Sequence, residues 1–241
     1  MSGSEVAVRE GIPLPTITYR DGGNRFTICN RRGTDYMRFD ELTECWSALY
    51  PGVGNAQYLG QELQQKFQPL AVLKPAVSRI VNFGCWPNGG GFEPCALIWT
   101  LDASEVVVVE KKDECVRLAQ EKVEGLRKRI PDCFESRLIR FLPRDMTNPI
   151  PELSQDYFDL SYCERVLLQV YQEHGEQGLT KAIAQTVRAV RPGGWVIACE
   201  QPTEDLPENT GHFFEEAGLT IDKGINRVGI LKNAYIYSKP L

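Results

Sequence analysis

From about residue 79 onward, short apolar runs alternate with segments whose apolar positions recur every three or four residues. The first pattern predicts strands and the second amphipathic helices. Arg79 to Gly84 and Glu105 to Glu110 (EVVVVE) read as strands, with a helix from Cys95 to Leu101 between them. Asp113 to Arg129 predicts a helix with Val116, Ala119, Val123, Leu126 and Ile130 along one face. Arg127, Lys128 and Arg129 close it, where cations complement the helix dipole on a solvated end. Strands follow at Arg137 to Pro143 and Tyr157 to Cys163, then a helix on which Leu179, Ile183, Val187 and Val190 align. Arg191-Pro192-Gly193-Gly194 is expected to stop that helix and turn the chain into a strand from Trp195 to Glu200.

Strands that are apolar throughout suit a parallel sheet covered on both faces, and strand-helix alternation implies right-handed crossovers in a layered α/β fold. The C-terminal part departs from this order. After a helix near Asn209 to Ala217, Leu219 to Leu231 and Ala234 to Ser238 both read as strands joined at Lys232-Asn233, so one strand of the sheet is expected to run antiparallel. Residues 1–75 have another texture. Thr16 to Tyr19 and Arg25 to Cys29 flank Asp21-Gly22-Gly23-Asn24, a hairpin turn, and amphipathic helical stretches follow near Phe39 to Leu49 and Ala56 to Leu73. The expected division is an N-terminal hairpin and helical lid over 1–75 and a ligand-binding α/β domain over 76–241.

Composition narrows the partners. The 241 residues carry a net charge of -5, which argues against a broad nucleic-acid or membrane surface and leaves a small-molecule substrate as the default partner. Eight cysteines are scattered without a CxxC pair, and only His174 and His212 complement them, so buried thiols are expected and no metal site. No apolar run approaches the roughly 18 residues of a membrane span. The N-terminal MSGSEVAVREGIPLP lacks a secretory pattern, and a cytoplasmic protein is expected.

In an open α/β sheet, ligands lie beyond the carboxyl ends of the strands. The first such loop holds Gly84, Cys85, Trp86, Asn88, Gly89, Gly90 and Gly91, whose glycines allow a ligand to approach the backbone. Taken alone, the loop fits a plain turn equally well. The second strand ends at Glu110, 26 residues after Gly84, where a carboxylate can accept from both hydroxyls of a ribose. After the third strand, Asp145 can accept from an exocyclic amine while Met146 packs on a purine face. Together the three loops form an adenosine-shaped set.

Five blocks now carry a resemblance: IVNFGCWPNGGGFEP, VVVVEKKDE, FLPRDMT, YFDLSYCERVL and VRAVRPGGWVIACE. In this order and spacing, residues 76–241 resemble the class I S-adenosylmethionine-dependent methyltransferases. The resemblance implies a three-layer, Rossmann-like sheet of seven strands with an antiparallel last strand, and S-adenosyl-L-methionine as cofactor. It implies that Gly84, Cys85 and Trp86 line the methionine and ribose side, with Asn88 and Gly89 in the same loop. Glu110 is then expected on the ribose, Lys111 beside the adenine, Asp145 and Met146 on the adenine, and Cys163 and Glu164 facing the methionine moiety and substrate. The segment Gly-Gly-Phe-Glu-Pro-Cys-Ala-Leu is similar to one in chemoreceptor methyltransferases, which implies Glu93 near the cofactor's amino or sulfonium group. Asn82 stands where such families usually have an acid, and Trp86 where they have a second glycine.

Glu164, Glu200 and Tyr162 are candidates for a general base by their place at strand ends, and Tyr36, Tyr50 and Tyr58 for a substrate pocket; none is singled out as catalytic. An active methyltransferase is the leading expectation. A methyltransferase-fold binding or partner subunit and a nicotinamide-dependent oxidoreductase are its rivals, the last opposed by the missing GxGxxG.

Overall fold

The computed structural model describes residues 16–21, 24–29, 70, 73, 76–85, 91–129, 131–199, 210–221 and 234–241. A separate two-stranded hairpin pairs β1 (Thr16–Asp21) with β2 (Asn24–Cys29), in register from Thr16 opposite Cys29 to Asp21 opposite Asn24. The helices expected near Phe39 to Leu49 and over most of Ala56 to Leu73 lie outside the described residues. Leu70 and Leu73 are described, and both are buried in the core of the main sheet.

That sheet has seven strands: β3 (Arg79–Phe83), β4 (Glu105–Glu110), β5 (Leu138–Pro143), β6 (Phe158–Glu164), β7 (Val190–Cys199), β8 (Thr220–Ile221) and β9 (Ala234–Ser238). Their spatial order is β5-β4-β3-β6-β7-β9-β8, with β9 antiparallel to both of its neighbours. The pairings from β5 through β7 are all parallel. The expected seven strands and reversed last strand are therefore present. Of the stretch read as a strand from Leu219 to Leu231, Thr220–Ile221 is strand and 222–233 lies outside the described residues.

Helices cover both faces, making three layers. On one face lie α1 (Phe92–Leu101) and α2 (Asp113–Arg129), and on the other α3 (Leu167–Ala189) and α4 (Thr210–Glu216). Val116, Ala119, Val123 and Leu126 of α2 are buried, as their spacing requires. The first helix starts at Phe92 rather than Cys95, because Pro94 is tolerated in a first helical turn. All of α1 except Glu93 is buried, consistent with a helix apolar on every side.

Arg191-Pro192-Gly193-Gly194 does not form the turn that the sequence suggests. It belongs to β7 as an irregularity: Phe158 pairs with Val190 and Leu160 with Trp195, so four residues of β7 stand opposite the single residue Asp159. Proline, which has no N–H to give a ladder, is tolerated in such a bulge. Gly194 is required by close approach, since a Cβ there would meet the Asp159 carbonyl oxygen at 2.7 Å.

Asp159, 4% exposed, ties this bulge to the centre of the sheet. Its Oδ2 accepts the backbone N–H of Ser78 and Arg79 at 2.8 Å each, and its Oδ1 accepts Nε–H of Arg191 at 2.6 Å. The polar chain continues along this edge. Arg79 stacks 4.3 Å over Tyr157, whose hydroxyl donates to Glu105, which in turn accepts from Arg140. Burial would raise the Asp159 carboxyl, but Arg191 and the two backbone donors outweigh it and hold the group below the usual carboxylate range.

A depressed carboxylate stabilises the fold above its unfolded pKa, and that contribution is lost as pH falls through the folded value. Asp159→Asn should therefore cost about 3 kcal/mol at neutral pH, read as a lower urea midpoint at unchanged slope. The gap between variant and wild type should narrow as pH falls below the ordinary carboxylate range.

Candidate functional site at the carboxyl ends of the strands

The chain leaves β3 toward β4 on one side and reaches β6 on the other, so a crevice opens where strand order reverses. Gly84 stands at its floor with φ of 88°. Its N–H donates to the Val109 carbonyl at 2.8 Å, and a Cβ there would lie 3.2 Å from Cβ of Val166. Both the left-handed backbone and this approach favour glycine. The next N–H, of Cys85, donates to Oε2 of Glu110 at 2.9 Å, while the N–H of Lys112 donates to Oε1 at 2.9 Å. These bonds fix the carboxylate at the end of β4, and each oxygen keeps a lone pair for a further donor.

Gly84, Glu110, Lys111, Asp145 and Met146 line one cleft of about 380 Å³, part of it open to solvent. Five residues expected from three separate loops are thus brought together. Oδ1 of Asp145 accepts both the N–H and the hydroxyl of Thr147 at 2.8 Å, a local turn that orients the side chain. Met146 is 5% exposed and forms an apolar wall. The opposite wall comes from the head of α3: Val166, Gln169, Val170 and His174. Sequence reasoning did not single out Gln169 or Val170; His174 is exposed and borders the cleft from its solvent side. The signal available was position, since the first turns of a helix following a central parallel strand face the same edge as that strand's end.

Near the other end of the edge lies a buried polar group. Nδ2 of Asn82, a fully buried side chain, donates to Oε1 of Glu93 at 2.7 Å, and its Oδ1 has no hydrogen-bond partner among the described residues. The carboxylate of α1 therefore sits where the first strand ends without an acid of its own. Tyr162 donates its hydroxyl to Oε2 of Glu164 at 3.1 Å. Burial, then the charges of Cys199, Glu164 and Glu93, push the phenol well above its ordinary value, so it stays protonated and does not act as a base at neutral pH. Arg165, next along, has a left-handed φ of 53°, a strained conformation for a non-glycine residue at a strand end.

Cys85 and Cys163 are both buried. The Cys85 thiol is pushed up to about 12 by burial and by Glu93 and Glu110, so it remains protonated. Cys163 packs among the apolar residues on the α3 side, which leaves its backbone to meet the crevice. Trp86, Asn88, Gly89, Glu200, Tyr36, Tyr50 and Tyr58 lie outside the described residues. His212 is exposed on α4, 3.1 Å from Glu216. Among the described residues no group of three or more His, Cys, Asp or Glu is placed to hold a metal ion, and no helix is long and apolar enough to cross a membrane.

No family profile matches the chain, and no curated protein matches it in sequence. Solved structures do match. The sugar N-methyltransferase KedS8 from a Streptoalloteichus species is 10% identical over 76% of this chain and 90% of that one, with a TM-score of 0.55. A TehB-like S-adenosylmethionine-dependent methyltransferase from Corynebacterium glutamicum is 15% identical over 76% of this chain and 95% of that one, with a TM-score of 0.51. The [4+2]-cyclase SpnF is 18% identical over 76% of this chain and 70% of that one, with a TM-score of 0.50. Sheet order, reversed last strand and these likenesses agree: the chain has the fold of the class I S-adenosylmethionine-dependent methyltransferases.

Proposed function

We propose that the protein binds S-adenosyl-L-methionine across this edge and transfers its methyl group to a small-molecule acceptor. The observation that carries the reading is the Glu110 carboxylate. It is held by two backbone N–H groups at the end of β4, keeps acceptor capacity on both oxygens, and lines a cleft whose floor demands Gly84. A vicinal diol is the partner such a carboxylate suits best. Asp145 and Met146 offer the cleft an acceptor and an apolar wall, matched to a purine.

Glu93 and Asn82 form the second half of the reading. A carboxylate at this point favours a positive charge, and the unpartnered Asn82 oxygen adds an acceptor beside it, which together fit the amino group of a methionine moiety. Trp86, Asn88 and Gly89 complete the proposed site from the loop between.

The cofactor supplies a methyl group on a sulfonium, which a nucleophile displaces directly. The protein's share is alignment and exclusion of water. A proton acceptor is needed only when the substrate must lose a proton, and protonated Tyr162 leaves Glu164 as the nearby carboxylate for that task. The net charge of -5 supports a small molecule over nucleic acid as acceptor, and the sugar methyltransferase among the similar folds is consistent with it.

Calorimetric titration separates the two halves of the site. Glu110→Ala should weaken S-adenosylhomocysteine and 5′-methylthioadenosine alike by about tenfold or more, because both carry the ribose. Glu93→Gln should weaken S-adenosylhomocysteine by a similar factor and leave 5′-methylthioadenosine, which lacks the amino acid, within about twofold. Wild-type protein that gives no heat with S-adenosylmethionine at millimolar concentration would refute the reading.

A further inference from the structure

The head of α3 carries a hydrogen-bonded hub that the ribose and methionine contacts do not use. Glu173 accepts from the Lys111 ammonium on one oxygen and from Nε2–H of Gln169 on the other at 2.9 Å, with Nε2 of His174 at 3.7 Å. Lys111, Gln169 and His174 all line the cleft. The helix is broken just beyond them, at Gly175 with φ 62° and ψ -161°, so Leu167 to His174 form a short piece set apart from the rest of α3.

The hub determines what the cleft offers to a base. The Lys111 and Gln169 hydrogen bonds hold the Glu173 carboxyl below its ordinary range, so it is ionised and only accepts. An amide facing such a partner must present its nitrogen, which leaves the Gln169 carbonyl oxygen as its outward edge. Two cationic groups of the cleft are already paired: Lys111 with Glu173, and Arg144 with Glu152 and the Pro143 carbonyl. Asp145 and Gln169 both line the cleft and bring acceptor oxygens to it, Gln169 with its Nε2–H committed to Glu173.

We propose that Gln169, oriented by Glu173, selects a 6-aminopurine over a 6-oxopurine in this cleft by accepting a hydrogen from the exocyclic amine. Glu173 is a positioning residue: it does not line the cleft but sets which edge of the Gln169 amide does. A 6-oxopurine would place its own carbonyl oxygen against these acceptors, and a mispaired polar edge costs affinity. The assignment rests on the adenosyl reading above and adds to it the residue that reads the base.

The test uses the full chain and two probes, S-adenosylhomocysteine and its 6-oxo counterpart S-inosylhomocysteine, titrated by calorimetry. Wild type should prefer the amino form by about tenfold. Gln169→Leu should lower the preference by losing affinity for the amino form. Glu173→Gln frees the Gln169 amide to turn over, so it should lower the preference by gaining affinity for the oxo form, an outcome that a merely structural role would not produce. Thermal melts of both variants check that they are folded. Equal affinity of wild type for the two probes, or an unchanged ratio in both folded variants, overturns the assignment alone. Failure of wild type to bind either probe overturns the adenosyl reading and this assignment with it.

Discussion

The register of the central strands is set by one carboxylate. Asp159 holds the first backbone N–H groups of β3 and the guanidinium that anchors the β7 bulge, at the edge opposite the cleft. From there the pairing runs without irregularity from Ile80-Leu160-Trp195 to Phe83-Cys163-Ala198. Side chains alternate between faces along a strand, so a slip of one residue would carry Asn82 and Glu164 to the wrong side of the sheet. Everything at the ligand edge depends on that pinning: the Asn82–Glu93 bond, the Tyr162–Glu164 bond and the level at which Gly84 leaves β3.

With the register held, the edge divides by chemistry into two ends. Around Glu110 the groups are fixed by backbone donors, a rigid arrangement that presents lone pairs in set directions. Around Glu93, Asn82 and Tyr162 are buried, the Asn82 oxygen lacks a partner among the described residues, and the Tyr162 hydroxyl and Cys85 thiol are kept protonated. A ligand with a diol at one end and a positive charge at the other satisfies both. The fold alone does not choose the reaction, as its sharing by methyltransferases and a [4+2]-cyclase shows; the side chains at the edge must carry that choice.

Much of this was legible in the residues. The run EVVVVE reads as a buried parallel strand because it is apolar throughout, and α2 because its apolar positions fall on one face; both depend on local periodicity. Gly84, Glu110 and Asp145-Met146 were legible because they stand at or just after the ends of three apolar strands. What escaped depended on distant contacts. Pro192-Gly193-Gly194 looked like a turn, since only the return of pairing at Trp195 and the grip of Asp159 on Arg191 make it a bulge. The hub at Glu173 joins Lys111 to a helix 62 residues later, and a polar stretch such as QEHGEQG reads locally as an exposed helix surface. The pairing of Asn82 with Glu93 likewise needed the start of α1 at Phe92, three residues before periodicity placed it.

The most direct test of the central claim is a crystal structure of the protein with S-adenosylhomocysteine. The account requires the ribose hydroxyls within hydrogen-bonding distance of Glu110, the purine in the cleft between Met146 and Val170, and the amino group beside Glu93. A ligand bound elsewhere, or bound here with its ribose away from Glu110, would contradict it.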